Sequence, residues 1–235
     1  MTEIEPSVRP EPMPEDFDRA LRPQMLSEFV GQAEARANLK IFIESARRRG
    51  EAMDHTLFHG PPGVGKTTIA RLLAHETDLH FVQISAIFTG MPDLRKVFEG
   101  AKIRRQNGQG TLLFVDEIHR FNKAQQDGFL PHMEDGTILL VGATTENPSF
   151  ELNSAVLSRA QVLVLERLDL ADLERMTQRA EQELEKALPL DGPAREALLE
   201  MADGDGRALL NLIEQVAAWK TDHKLTPPEL AQRLQ

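Results

Sequence analysis

Cysteine is absent from this chain of 235 residues. No disulfide and no thiolate metal site can form, and a reducing cytoplasm suits such a composition. No apolar run approaches the ~20 residues that a membrane-crossing helix needs, so no membrane partner is expected. Positive charge is also in deficit: 27 Lys and Arg stand against 37 Asp and Glu, a formal net charge of −10. That excludes a uniformly basic nucleic-acid-binding coat, while a local basic track remains compatible with it, because phosphate contacts depend on where charges sit. There is no internal repeat, and the length suits one large α/β domain plus a small one. Residues 1–20 are acidic and carry Pro6, Pro10, Pro12 and Pro14. This is not the pattern of a signal peptide, and the segment is expected to be a disordered leader.

What the chain does have is the run Gly60-Pro61-Pro62-Gly63-Val64-Gly65-Lys66-Thr67-Thr68. It fits G-x-x-x-x-G-K-[ST], a phosphate-binding loop between a strand and a helix. Both flanks agree: Thr56–His59 is a short β-type run, and Thr67–His75 places Ile69, Leu72 and Leu73 at helical spacing. Gly60, Gly63 and Gly65 permit backbone conformations in which successive N–H groups point at phosphate oxygens. Lys66 is expected to reach the β- and γ-phosphates of ATP, and Thr67 to complete a Mg²⁺ shell.

A second segment points to hydrolysis. Thr111–Val115 is continuously apolar after its first residue, as in a strand covered on both faces, and it ends in Asp116-Glu117. A carboxylate at such a strand end can hold Mg²⁺, and a neighbouring one can polarise water for attack on a γ-phosphate. Asp116 is therefore the metal-side candidate, with Thr67, and Glu117 the candidate base.

The remaining pattern is an alternation. Strands are expected at 56–59, 80–84, 111–115, 137–141 and 161–165, with a helix over Glu34–Arg49 and helical patterns between most strands. This predicts a three-layer α/β fold, a parallel sheet with helices on both faces. From Asp169 onward only helical periods occur: Leu170–Leu188, Pro193–Ala202, Arg207–Lys220 and a short helix after Thr226-Pro227. The expected organisation is thus a leader (1–20), a nucleotide-binding domain (21–166) and a small all-helical domain (167–235).

Together these residues resemble the AAA+ ATPases, over nearly the whole chain after residue 20. The resemblance implies that Pro23, Phe29 and Val30, in Arg22-Pro23…Phe29-Val30-Gly31-Gln32, pack around adenine. It implies that Thr145, in Val141-Gly142-Ala143-Thr144-Thr145-Glu146-Asn147, is the polar sensor that meets the γ-phosphate or the attacking water. Arg159, in Leu157-Ser158-Arg159, would be an arginine finger supplied in trans to a neighbouring subunit. Arg207, in Gly204-Asp205-Gly206-Arg207, would be the second sensor, on a mobile helical lid.

Two branches of the family share the likeness. Residues 21–75 are similar to Holliday-junction branch-migration motors. Residues 111–165, with Phe114–Asp127, Phe129–His132 and Gly142–Asn153 nearly continuous, are similar to replication-associated recombination proteins. The motors insert a hairpin before the sensor strand, whereas here Met133-Glu134-Asp135-Gly136 runs straight into Thr137, which favours the second branch. The motors continue into a winged-helix domain and the recombination proteins into an oligomerisation region. Relative to either, a chain ending at Gln235 is expected to be minimal, truncated or a mosaic. The implied function is ATP hydrolysis on forked, gapped or single-stranded DNA at stalled forks or recombination intermediates, with self-association and replication or recombination proteins as partners. The alternatives are a branch-migration motor, an ATP-gated scaffold with little turnover, and a small-molecule phosphotransferase, which would need no arginine in trans. Arg95, Lys96, Lys102, Arg104 and Arg105 form a basic cluster that either follows a DNA backbone or is a solvated helix face.

Overall fold

The computed structural model describes residues 21–234, and the leader expected at 1–20 lies outside the described residues. The chain divides into two compact units. One is Pro23–Arg167; the other comprises Leu168 onward together with Leu21 and Arg22.

The first unit is built on five strands: β1 (His55–His59), β2 (His80–Ser85), β3 (Thr111–Asp116), β4 (Leu139–Thr144) and β5 (Ala160–Val164). Their order is β2-β3-β4-β1-β5, and every pairing is parallel. Burial follows position in the sheet. All six residues of β4 are buried, as are the first five of β3, whereas the edge strands β2 and β5 are mostly exposed or half-buried.

Side chains alternate between faces along each strand, and the chain uses this to make two cores. Phe58, Leu112, Phe114, Leu139 and Val141 join one core with Leu39, Ile69 and Leu73. Leu57, Leu113, Val115 and Leu140 join the other with Phe98, Phe129 and Met133. Each fully buried Leu or Phe side chain contributes on the order of 1.5–3 kcal/mol. The helices supplying the covering layers are α1 (Ala33–Arg49), α2 (Lys66–Glu76), α3 (Met91–Gln106), α4 (Lys123–Asp127), α5 (Leu130–Glu134), α6 (Pro148–Glu151) and α7 (Ser154–Leu157).

The fourth strand is displaced from its expected span of 137–141. Thr137 N–H donates to Asp135 Oδ1 and Ile138 N–H to the His132 carbonyl, so both residues belong to the turn after α5. Gly136 there has φ +70°, and the strand begins at Leu139 and runs on to Thr144. No hairpin intervenes between α5 and β4.

The second unit holds α8 (Leu170–Glu183), α9 (Gly192–Ala202), α10 (Gly206–Ala217) and α11 (Pro227–Leu234). Asp169, Asp191 and Asp205 cap the first three with side-chain oxygens, satisfying N–H groups that a helix start leaves open. Arg195 of α9 clamps α8 by bonds of 2.8–3.1 Å to Glu174 and Glu181. The helix expected over 170–188 stops at Glu183. Glu185 turns left-handed at φ +51°, Leu188 N–H donates to Glu181 Oε1, and Leu190 pairs with Leu225 in a single parallel bridge. Among the described residues no helix is long and apolar enough to cross a membrane.

Candidate active site

The C-terminal ends of β1, β3 and β4 lie along one edge of the sheet, because the strands are parallel and adjacent. In open α/β sheets ligands bind beyond this edge. Gly60 follows β1, Asp116 ends β3 with Glu117 next to it, and Thr145 follows β4. Residues far apart in sequence are thereby collected in one place.

The phosphate loop spans Gly60 to Gly65 and opens α2, whose first residue is Lys66 and second is Thr67. Gly63 and Gly65 have φ of +71° and +91°, conformations that side chains rarely adopt. Close approach adds a second reason for glycine. A Cβ at Gly65 would lie 2.4 Å from the Phe29 ring, and one at Gly60 would lie 2.2 Å from the Leu165 carbonyl oxygen. Phe29 is 8% exposed and so packs directly on the loop. Val30 and Pro23 are half-buried nearby in the chain, and Gln32 holds this segment in place. Its side chain donates to the Glu166 carbonyl (2.7 Å) and accepts from Glu166 N–H (3.0 Å).

Lys66 is buried and donates to the carbonyls of Gly60 (2.6 Å) and Pro61 (2.7 Å), so its ammonium lies inside the loop. Val64 is fully buried beneath the loop, while Pro61, Pro62, Gly63, Thr67 and Thr68 are at least partly open to solvent. A loop with left-handed glycines, an inward ammonium and a helix N-terminus matches the charge and hydrogen-bonding needs of a polyphosphate. Thr67 and Asp116 supply oxygen donors of the kind Mg²⁺ prefers.

Glu117 adopts φ +53° between β3 and the 3-10 turn Ile118–Arg120. A left-handed glutamate is uncommon and costs on the order of 1 kcal/mol, as functional sites often do. Its Oε2 receives the Thr145 hydroxyl at 3.4 Å and lies 3.4 Å from His119 Nε2. His119, which the sequence motifs leave without a role, has a side chain only 5% exposed, with Nδ1 2.9 Å from the Thr144 hydroxyl. The signal was present as a histidine two residues after Glu117, but only the fold sets it against the end of β4.

Arg159 is at the other edge. It immediately precedes β5, which pairs in parallel with β1 from His55↔Ala160 to His59↔Val164. At about 3.3 Å per residue, those four steps alone put roughly 13 Å between Arg159 and the loop that follows β1. The guanidinium donates to Glu134 (2.6 Å) and to the Ala155 carbonyl (2.8 Å). Arg207 sits in the second unit, in the first turn of α10 after its cap Asp205.

Two members of the basic cluster on α3 have partners within the fold. Arg104 donates to the Thr111 hydroxyl (2.9 Å), and Arg105 to the Asp135 carbonyl, with that carboxylate 3.8 Å away. These two arginines tie α3 to the sheet and to the turn after α5, while Arg95, Lys96, Lys102 and also Arg105 remain exposed.

Residues 21–162 match the family described as the Holliday junction DNA helicase RuvB P-loop domain. The chain is 47% identical over 202 residues to replication-associated recombination protein A of Coxiella burnetii, covering 84% of this chain and 45% of that protein. It is 52% identical over 142 residues to the Holliday junction branch migration complex subunit RuvB of Paracoccus denitrificans, covering 60% and 40%. Its backbone is similar to that of the Thermotoga maritima RuvB Holliday junction branch migration motor, with a TM-score of 0.76 at 29% identity, covering 92% and 72%. The chain thus spans about half the length, or less, of the curated relatives it matches.

Proposed function

The chain belongs to the RuvB P-loop domain family of AAA+ ATPases, and on that premise we propose that it hydrolyses ATP to act on DNA at stalled replication forks or recombination intermediates. The observation that carries this reading is the convergence of the phosphate loop, Asp116-Glu117 and Thr145 on one sheet edge, with Arg159 on the opposite one. In this reading the loop's N–H groups and Lys66 bind and orient the polyphosphate of ATP. Phe29, Val30 and Pro23 receive the adenine, and Thr145 holds the attacking water or the γ-phosphate. Glu117 takes the proton from that water. Thr67 and Asp116 would hold Mg²⁺, which would supply neutralisation of the phosphate charge.

Arg159 stands too far from its own loop to serve it, so it acts on the nucleotide of a neighbouring copy, which makes self-association part of the activity. Arg207 is proposed as the residue through which the helical unit responds to the γ-phosphate. The direct turn from α5 into β4, with no inserted hairpin, together with the 84% coverage in the alignment to the recombination protein, supports work on replication intermediates over branch migration. A cytoplasmic enzyme with replication or recombination partners follows from the same reading. The test is phosphate release with ATP and Mg²⁺, with and without forked or gapped DNA. Turnover that rises with DNA is expected; nucleotide binding with no turnover under either condition would favour an ATP-gated scaffold.

A further inference from the structure

The imidazole of His119 lies between two elements of the proposed site and is used by neither assignment above. Its Nδ1 is 2.9 Å from Thr144 Oγ1, at the end of β4. Its Nε2 is buried without a hydrogen-bond partner, and Glu117 Oε2 lies 3.4 Å from it. A buried nitrogen left unsatisfied costs on the order of 1–3 kcal/mol, so this arrangement calls for an explanation.

Thr144 decides which nitrogen carries the proton. Its oxygen already accepts from Glu146 N–H at 3.0 Å, and its single hydrogen can go to His119 Nδ1 (2.9 Å) or to the Glu146 carbonyl (3.2 Å). If the hydroxyl donates to Nδ1, the neutral ring carries its proton on Nε2 and presents an N–H to the Glu117 carboxylate. If it donates to the Glu146 carbonyl instead, Nδ1 must carry the proton, and Nε2 turns a lone pair toward the carboxylate. The second arrangement sets two acceptors against each other and leaves the buried Nε2 unsatisfied, while Glu117 Oε2 keeps only the Thr145 hydroxyl. The first gives the buried Nε2–H an acceptor and ends in a charge-assisted bond, the stronger kind. A length of 3.4 Å is just beyond a well-formed N–H···O bond, as catalytic contacts often are before substrate draws them in.

We propose that His119 is a positioning residue for Glu117: Thr144 fixes its tautomer, and its Nε2–H holds the carboxylate. The proposal rests on the reading of Glu117 as the base. The chain of bonds Glu146 N–H, Thr144 hydroxyl, His119 and Glu117 places the base from the end of β4, next to Thr145. The left-handed backbone at Glu117 and the turn closed by Arg120 N–H on the Glu117 carbonyl (2.8 Å) bring the imidazole and carboxylate of neighbouring residues together. A shift at the end of β4 when Thr145 meets the γ-phosphate would thereby reach the base through His119.

The test compares His119→Phe, which keeps a ring without a donor, with His119→Gln, whose amide can put an N–H where Nε2 stood. Steady-state ATPase kinetics and ATP affinity by calorimetry are measured for both. His119→Phe should lower kcat about ten- to hundred-fold, the scale of a misplaced catalytic group, with ATP affinity near wild type. His119→Gln should recover most of the loss. Equal kcat in His119→Phe and wild type, or equal losses of kcat and affinity in both variants, would overturn the proposal. Should His119→Phe not fold, ¹⁵N NMR of imidazole-labelled wild-type protein decides: a protonated Nε2 and bare Nδ1 are expected, and the reverse tautomer refutes it. Glu117→Gln is assayed in parallel, and turnover surviving there would remove the base assignment itself, whatever the His119 variants do.

Discussion

At the scale of single residues, conformation and close contact explain why particular side chains stand where they do. Gly65 is fixed both by its φ of +91° and by the Phe29 ring lying where a Cβ would go. Lys66 is held inside the loop by two carbonyls, so its charge is placed before any phosphate arrives. Lys66→Ala should therefore weaken ATP binding about ten- to hundred-fold, the loss of one hydrogen-bonded charge, and lower hydrolysis with it. Isothermal calorimetry checks this, and unchanged affinity would refute the placement of that ammonium against phosphate. The loop and the Asp116-Glu117 pair were legible in the sequence because their chemistry depends on local spacing. His119 was not, since its part depends on Thr144, 25 residues on, which only the neighbouring position of β3 and β4 brings to it.

At the scale of elements, a central strand such as β3 was readable because burial on both faces demands a continuous apolar run. Boundaries failed where a side chain or a left-handed residue competes with periodicity. Asp135 captures the Thr137 N–H and delays β4; the Thr137 side chain first, and this backbone bond after it, hold the Asp135 carboxyl below its ordinary pKa. Leu184 and Leu188 keep helical spacing, yet Glu185 has already turned the chain out of α8.

His55 shows how two elements are joined. Its Nε2–H donates to the Met133 carbonyl (3.3 Å) while Nδ1 accepts from Leu140 N–H (3.0 Å), so the neutral ring ties β1 to both α5 and β4. Burial pushes its pKa below the ordinary histidine value, outweighing the Met133 bond and Asp54, which raise it. The folded state thus prefers the neutral ring. The stability it contributes is fully present above the unfolded value of about 6.5 and is lost as pH falls from there through the lower folded pKa. His132, also lowered by burial and by Lys102, acts in the same direction. Urea unfolding at pH 7.5 and 5.5 should show wild type losing more stability on acidification than His55→Asn; equal losses would show that His55 is not a source of the acid sensitivity.

At the scale of the whole molecule, the parallel sheet sorts the site residues onto two edges. No sequence spacing reveals that Arg159 and Lys66 lie at opposite ends of neighbouring strands; the pairing of β1 with β5 does. Arg159→Ala is therefore expected to bind ATP normally yet lose about a thousandfold or more in turnover, the scale of a lost arginine finger. Mixing it with Lys66→Ala chains should restore part of the activity, since one interface then pairs an intact loop with an intact arginine. Absence of recovery at every ratio, in a preparation shown by light scattering to be oligomeric, would contradict action in trans.

The central claim is that the shared edge of β1, β3 and β4 binds ATP and breaks it with Glu117 as base. Glu117→Gln keeps the side chain's size and removes its ability to take a proton. Calorimetric ATP affinity and phosphate release, measured on the same preparation, test the claim most directly. Affinity within a few-fold of wild type with turnover reduced about a hundred- to ten-thousandfold is the predicted result. Undiminished phosphate release, or loss of nucleotide binding along with it, would contradict it.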